Sequence, residues 1–409
     1  MTATLSATSS APSSRPFGRL VLLFVLAGNM LIDALEVSVV LVALPEMAAD
    51  LALSPWQVQW VMSGFALGFA LLLLLGPSIT GRWGRRRPYL IALLLFAVAS
   101  LVGGLTDSAV LITVTRLVKG ACAALTAPTG LGIIGTVFPE GEPRRKAISV
   151  YSLFGAAGFT VGVLVSGVLT GVDWHWVLAL PGMLALVLAV FAMRLIPEGA
   201  GGAASRIGFG PLRNPALRRS ALGGATLNGT YLGLLLLLTF SLQDEHGWSS
   251  WQTALAFLPA CLPLAVAAPF SGRMVTRFGG ARLVLWGALA PLCGYLYQFL
   301  PFPTDSYGIG VLPTLLLVGL GFVLSFGALN MRATSELPER DRTLAVPLYQ
   351  CAVQTGAVVM LTGTGGLLLL PHGGAYTLSL ITAVSLVGVL VALSGVTADR
   401  RVSARKEYS

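Results

Sequence analysis

Apolar runs of about 20 residues recur along the whole sequence, from residue 19 to residue 397. Each run is long enough to cross a bilayer as an α-helix, which needs roughly 20 predominantly apolar residues. Only 11% of the residues are charged, whereas a soluble domain carries about 25%. This pattern excludes a water-soluble enzyme. It predicts an all-α polytopic membrane protein, with the lipid bilayer as its surroundings.

Glycines, prolines and charged clusters divide the chain into twelve predicted membrane helices. The first run is longer than the core of a signal peptide and holds acidic residues, so we expect it to be retained as a helix. The twelve helices are predicted at residues 19–45, 57–80, 88–105, 109–137, 146–170, 175–196, 220–243, 251–276, 281–300, 307–333, 342–370 and 374–397.

Basic and acidic residues fall on opposite sides of these helices. One set of connections carries arginines such as Arg82, Arg144 and Arg282, whereas the opposite set carries acids such as Asp107 and Asp173. By the positive-inside rule, the basic side faces the cytoplasm. We therefore predict a multi-pass protein of the inner (cytoplasmic) membrane with both termini cytoplasmic. The net charge of +9 follows from this topology and does not indicate a nucleic-acid partner.

The chain divides into two halves around a polar centre. We predict a disordered cytoplasmic tail at 1–18, a six-helix bundle at 19–196, a cytoplasmic linker at 197–219, a second bundle at 220–397 and a cytoplasmic tail at 398–409. The stretch GRWGRRR at 81–87 is weakly echoed by SGRMVTRFGGAR at 271–282. Two such bundles with a site at their interface are a known arrangement of transporters.

Several motifs together resemble the major facilitator superfamily, and within it the EmrB/QacA-type drug/proton antiporters. They are LEVSVVLVALPEMAADL (35–51), WQVQWVMSGFALGFALLLLLGP (56–77), RLVKGACAA (116–124), GAAGFTVGVLVSGVLTG (155–171), LQDEHGWSSWQTALAFLP (242–259) and ELPERDRTLAVPLYQCAVQTG (336–356). The resemblance covers nearly the whole chain. It implies the major facilitator fold, two six-helix bundles, and multidrug efflux or antibiotic resistance by antiport.

The sequence departs from the family pattern at three points. Pro77 and Gly81 stand where the loop after the second helix normally has a Gly and an Asp, and that Asp helps to lock the bundles in the family. Gly162-Val163 replaces the Gly-Pro of the antiporter motif. Many members of the subfamily have fourteen helices, but the 197–219 segment is too short and polar for two more. These departures keep a uniporter or proton symporter of a small organic solute open as the alternative.

Four ionisable side chains lie well inside the predicted membrane region: Asp33, Glu36, Arg116 and Lys119. A charged residue near the bilayer centre costs about 2.5–3.5 kcal/mol on insertion scales, so such residues usually face a cavity and serve a function. Asp33 and Glu36 are i,i+3 neighbours on the first helix, as are Arg116 and Lys119 on the fourth. Counting about 1.5 Å per residue places all four in one layer, and we expect them to face one another.

This cluster predicts proton coupling. Burial raises the pKa of a carboxyl group and a nearby arginine lowers it, so a carboxyl in an alternately wet and dry cavity can take up and release a proton. Glu36 occupies the acidic position of the family and is our first candidate for the carrier, with Asp33 as its partner and Arg116 as the modulating base. The alternative is a static ion-pair network that holds the first and fourth helices together.

Candidate substrate contacts are the polar and aromatic side chains within the predicted helices. Hydrogen bonds between helices or anchoring of a tryptophan at the membrane interface would explain several of them equally well. The glycines at 155, 158, 162 and 167 are expected to serve helix packing. The candidates are Asn29, Asp33, Trp60, Phe65, Lys119, Asn228, Tyr231, Gln350 and Gln354.

No catalytic set, metal-ligand spacing or nucleotide-binding loop is present in the sequence, so we predict no enzyme activity and no cofactor. We expect a secondary active transporter that exports an amphiphilic drug, antibiotic or secondary metabolite in exchange for protons. A transporter-like scaffold or sensor without turnover is a further alternative, although loss of the intramembrane charges would be its expected signature. The sequence specifies no oligomeric state, and we take a monomer as the expectation.

Overall fold

The computed structural model describes residues 16–197, 208–300, 306–335 and 337–407, and these residues form helices and no strand. Twelve helices correspond to the twelve predicted runs, which confirms the predicted all-α fold class. Most of the predicted N-terminal tail and residues 198–207 of the predicted linker lie outside the described residues. We number the helices α1–α12: Pro16–Leu35, Pro55–Leu73, Arg86–Gly103, Ala109–Val137, Glu142–Thr170, His175–Leu195, Pro215–Phe240, Leu258–Ala267, Gly280–Tyr297, Leu312–Ser335, Glu339–Leu367 and Gly373–Glu407.

Eleven helical segments in the described ranges are long and apolar enough to cross a membrane. The ninth predicted helix is the exception: α9 has 18 residues and packs against α10 and α12. It begins with a glycine and carries Arg282 near its start, which lowers its mean hydropathy. The structure is consistent with the predicted count of twelve, since α9 occupies the expected place in the chain.

The first predicted helix, residues 19–45, is interrupted in the structure. α1 ends at Leu35, residues 36–43 form successive turns, and a short helix, Leu44–Asp50, follows. Pro45 explains part of this, because its ring clashes with the carbonyl four residues earlier, and the run of valines before it favours helix only weakly. We call residues 36–43 the α1 break. Its backbone carbonyls are available to side chains of other helices.

The eighth predicted helix, 251–276, is also segmented. It consists of Ser250–Ala256, α8, a 3₁₀ turn at Ala268–Phe270 and the short helix Ser271–Phe278. Prolines 259, 263 and 269 lie in this stretch, and each removes one backbone donor from the helical ladder.

Glycines set the closest helix contacts. A Cβ on Gly158 would lie 2.7 Å from the carbonyl oxygen of Leu31, so α5 packs directly on α1. Gly68 and Gly120 bring α2 and α4 together in the same way, because a Cβ on either would meet the backbone of the other helix. The packing role expected for the glycines of the fifth helix is thus observed.

Among the described residues, the apolar core that the two halves share lies at one end of the bundle. Consecutive helices alternate in direction, so both termini lie on one side, which we call the terminal side; the other is the far side. On the far side, one hydrophobic cluster contains residues of both halves, for example Val40 and Met62 of the first half and Leu235 and Ala357 of the second. On the terminal side each half has its own hydrophobic cluster. Of the first half's described residues, Leu74 packs against the cluster of the second half.

Direct contacts between the halves seal the far side. The side-chain amide of Gln243, in the π-helical turn Ser241–Glu245 that follows α7, donates a 2.9 Å hydrogen bond to the carbonyl oxygen of Val42 in the α1 break. Gly365 of α11 packs against Gln59 of α2, and Gly167 of α5 packs against the short helix before α8. The structure is therefore closed on the far side.

Candidate functional site

The α1 break is held by an arginine of α4. Arg116 donates from Nη2 to the carbonyl oxygen of Glu36 at 2.7 Å and from Nε to the carbonyl oxygen of Val61 in α2 at 2.9 Å. Its guanidinium also lies over the ring of Phe65, 4.9 Å from the ring centroid. Arg116 is fully buried, so these contacts position it where α1, α2 and α4 meet.

Glu36 forms ion pairs with two cations at once. One carboxylate oxygen, Oε2, pairs with Nη1 of Arg116, and the other, Oε1, lies 2.6 Å from Nζ of Lys119. Glu36 has no exposed surface, and Lys119 is only 1% exposed. We call Glu36, Arg116 and Lys119 the ion triad. With one negative and two positive side chains, it carries a net charge of +1 when all three are ionised.

Lys119 also contacts α6 and α3. Its ammonium group donates to the carbonyl oxygen of Leu178 at 3.4 Å and lies 5.2 Å from the ring centroid of Phe96. The same carbonyl accepts a hydrogen bond from Ser100. The residues of the ion triad thus contact α2, α3 and α6, in addition to the α1 break and α4, on which they lie.

Asp33 has a different environment, with no cation among its partners in the described ranges. Its Oδ2 atom accepts a 3.0 Å hydrogen bond from Asn29 and a 2.7 Å hydrogen bond from Thr126 of α4. Asp33 is 6% exposed. The four intramembrane charges do lie close together as expected, but both bases pair with Glu36 and neither pairs with Asp33.

The antiparallel arrangement of α1 and α4 explains this division. Arg116 and Lys119 lie at the level of Glu36, whereas Thr126, about two turns further along α4, meets the level of Asp33. The sequence analysis did not identify Thr126. Its position seven residues after Lys119 on the same helix face is the signal that would have identified it.

The predicted contacts in the second half lie on α7 and α11. Asn228 donates to the carbonyl oxygen of Val353 at 3.3 Å, which joins α7 to α11. Gln350 donates to Asn330 of α10 at 3.4 Å. Within the described part of the chain, the side chain of Gln354 forms no hydrogen bond. All three are partly exposed, so they remain candidates for contact with a substrate.

Aromatic side chains form a row where the two halves meet. Tyr231 lies 5.5 Å from Phe159 of the first half and 4.5 Å from Phe322 of α10, measured between ring centroids. Phe322 in turn lies 6.4 Å from Phe326, one helical turn nearer the terminal side. The sequence analysis named Tyr231 but missed its phenylalanine neighbours. The i,i+4 spacing of the two phenylalanines on α10 was the available signal.

The two aromatic candidates of α2 differ in position. Phe65 is 2% exposed and stacks on Arg116. Trp60 lies near the far-side start of α2 and contacts Trp56, with the ring centroids 6.1 Å apart. Phe65 therefore belongs to the packing around the ion triad, whereas Trp60 stands outside the cluster of buried charges.

Comparison with known proteins identifies the relatives of this chain. It is 28% identical to "Puromycin resistance protein pur8" of Streptomyces alboniger, over 98% of this chain and 95% of that protein. It is 26% identical to "Tetracenomycin C resistance and export protein" of Streptomyces glaucescens, over 82% of this chain and 73% of that protein. "Cephamycin export protein CmcT" of Amycolatopsis lactamdurans is 32% identical, over 63% and 52% respectively.

Solved structures share the fold at low sequence identity. A point mutant of the nucleoside transporter NupG matches with a TM-score of 0.73 and 14% identity, over 91% of this chain and 99% of that one. A bacterial homologue of the human lysosomal transporter Spinster, in an inward-facing and occupied conformation, matches with a TM-score of 0.71 and 18% identity, over 95% and 98%. Residues 26–361 match the Major Facilitator Superfamily. The chain is therefore a member of the Major Facilitator Superfamily and has its helical transporter fold.

Proposed function

We propose that this protein is a secondary active transporter that exports an amphiphilic drug, antibiotic or secondary metabolite in exchange for protons. The observation that carries the proposal is the cluster of two buried carboxylates and two buried bases inside the first half. Buried ionisable groups in a membrane protein are costly and mark ion or substrate pathways. The named activities of the relatives, resistance and export, support the same conclusion.

The way in which the halves meet supports alternating access. With both termini placed in the cytoplasm, as the basic loops indicate, the sealed far side would be external and the terminal side would face the cytoplasm. The bundles at 19–196 and 220–397 would then rock against each other, as those of a transporter of two repeats do, with the ion triad and Asp33 inside the first bundle. The partly exposed polar and aromatic side chains of α7, α10 and α11 would contact the substrate.

Uptake into proteoliposomes, driven by a proton gradient, tests the proposal. Purified protein is reconstituted, a proton gradient is imposed, and radiolabelled puromycin, the compound named in one relative, is the probe. One proton that crosses about 100 mV releases roughly 2.3 kcal/mol, enough to concentrate a neutral probe about fifty-fold. Proton antiport predicts that the probe accumulates against its own concentration gradient, while protons flow in the opposite direction down the imposed proton gradient. Other amphiphilic antibiotics extend the probe set if puromycin is not transported.

Matched variants separate coupling from general damage. Asp33→Asn should abolish gradient-driven accumulation, whereas Asp107→Asn and Glu140→Gln should preserve it, because those two side chains are 81% and 88% exposed. Probe flux down its own concentration gradient that is independent of the proton gradient would favour uniport. Probe and proton flux in the same direction would favour symport. Both of these results would contradict antiport.

A further inference from the structure

The two carboxyl groups of the first helix region differ in which of their oxygens are bound. Both oxygens of Glu36 face cations, Oε2 towards Arg116 and Oε1 towards Lys119. Both donors to Asp33, from Asn29 and Thr126, use the same oxygen, Oδ2. No described residue donates a hydrogen bond to Oδ1 of Asp33. Oδ1 is therefore the carboxyl oxygen of this pair that can accept a proton without displacing a partner.

We propose that Asp33 is the carboxyl that exchanges the proton, at Oδ1, and that Glu36 stays ionised and acts as a positioning residue. This inference deepens the proposed function and rests on it for the role of the proton in transport. It departs from the resemblance to the antiporters, which placed the carrier at Glu36. Which of the two carboxyls titrates can be measured without any transport.

Charge balance supports the assignment. A proton on Glu36 would leave Arg116 and Lys119, which are 0% and 1% exposed, without an anionic partner, and uncompensated buried charges are strongly destabilising. A proton on Asp33 disturbs no ion pair, because its bound oxygen has only neutral donors. The net charge of +1 on the ion triad offsets the single negative charge of ionised Asp33.

The other groups that face Asp33 are neutral or belong to the triad. Its two hydrogen-bond donors, Asn29 and Thr126, do not titrate. The titratable groups that interact electrostatically with Asp33 are Cys122 of α4, Tyr89 of α3, Tyr151 of α5 and Glu36. The hydroxyl of Tyr89 is buried and has no hydrogen-bond partner among the described residues. A proton can thus move between water and Oδ1, turning the carboxylate into a carboxylic acid, without the approach of a further charged side chain.

Infrared difference spectroscopy tests the inference directly. The purified full chain is titrated above about pH 5.5, where exposed carboxyls are already ionised, and the carbonyl stretch of protonated carboxyl groups is followed in water and in D₂O. The wild type should show one pH-dependent buried carboxyl band. Asp33→Asn should abolish that band. Glu36→Gln should keep it, with its midpoint shifted to lower pH because the triad then carries a charge of +2.

A second variant guards against misfolding of Glu36→Gln. The double variant Glu36→Gln/Lys119→Met keeps the net charge of the three positions at +1 and should retain both the band and its midpoint. A band that survives in Asp33→Asn and disappears in the Glu36 variants would overturn the inference, as would the absence of any titrating band in the wild type. Failure of antiport appears separately, as probe flux in wild-type proteoliposomes without proton flux.

Discussion

Replacing Glu36 by glutamine is expected to destabilise the protein more than replacing Lys119 by methionine. The first change leaves Arg116 and Lys119 buried without an anion, and breaking a buried pair by removing one partner costs about 3–5 kcal/mol. The second change leaves Glu36 paired with Arg116, removes a desolvated cation and keeps an apolar side chain beside Phe96. Its cost should be about 1.5–3 kcal/mol, the range for a hydrogen bond to a charged group.

The double variant Glu36→Gln/Lys119→Met should be more stable than Glu36→Gln alone, because only Arg116 then lacks an anion. The coupling energy of Glu36 and Lys119 is the cost of the double variant minus the summed costs of the two single variants. The measurement is equilibrium unfolding of the purified protein in mixed micelles, with sodium dodecyl sulfate as the denaturant and tryptophan fluorescence as the signal. A cost of 3–5 kcal/mol corresponds to about two to four decades in the unfolding equilibrium constant.

Glu140→Gln is the matched control, since Glu140 is 88% exposed and pairs with Arg144 at the surface, where ion pairs contribute about 0–1 kcal/mol. Suppose that Glu36→Gln unfolds within about 1 kcal/mol of the wild type while Lys119→Met costs more. The ion triad would then not be ionised as described, and the reasoning that Glu36 stays charged would fail with it.

Three further results are expected. Gly158→Ala should destabilise the protein by about 1–3 kcal/mol through overpacking, because its Cβ would lie 2.7 Å from a carbonyl oxygen of α1, whereas Gly135→Ala, with nothing within 4 Å, should be neutral or stabilising in the same unfolding assay. Gln243→Leu removes the 2.9 Å hydrogen bond across the far side and should raise the population that is open on the far side about twofold to tenfold. The measurement is the labelling rate of a cysteine introduced on the far side, which should increase; an unchanged rate would contradict the prediction. The backbone N–H and then the imidazole of His175 hold the pKa of Asp173 below its ordinary value of 3.8. The stabilisation from that lowered pKa is complete above pH 3.8 and is lost as the pH falls through the lowered value; His175→Ala should shift this loss to higher pH in thermal unfolding, and an unshifted profile would refute the assignment.

The helical plan could be predicted because it depends on local composition. Long apolar runs and the alternation of basic and acidic loops act through the bilayer itself, so no knowledge of tertiary contacts is needed. Helix α9 was predicted at 281–300 and is found at Gly280–Tyr297. Deviations appear where prolines lie inside a run, as in the segmented eighth helix, because a proline shows that the ladder is interrupted but not which conformation follows.

The α1 break was not predicted, and its cause is largely tertiary. Pro45 signalled a disturbance, but the turns at 36–43 also depend on partners supplied by other helices. Arg116 donates to the carbonyl oxygen of Glu36, and Gln243 donates to that of Val42. These partners are 80 and 201 residues away in the chain. No local pattern reports such contacts.

The closeness of the four charged side chains could be predicted, but their pairing could not. All four intramembrane charges were identified from their cost in a bilayer, and the structure brings them together. Which base faces which acid depends on the register of α1 against α4, and that register is a matter of tertiary packing, including the α1 break. The same dependence on packing explains why Thr126 and the phenylalanines beside Tyr231 were missed.

The apolar cluster shared by both halves on the far side has a pharmacological consequence. With the orientation and the alternating access proposed above, a blocker that competes for the substrate site from outside the cell would find no entrance in the resting protein and would have to wait until the far side opens. Its onset should therefore depend on turnover: slow in de-energised cells and faster when substrate and proton gradient keep the transporter cycling. A membrane-permeant blocker that arrives from the cytoplasm would show no such delay, so the time course of block reports which face of the protein is open at rest.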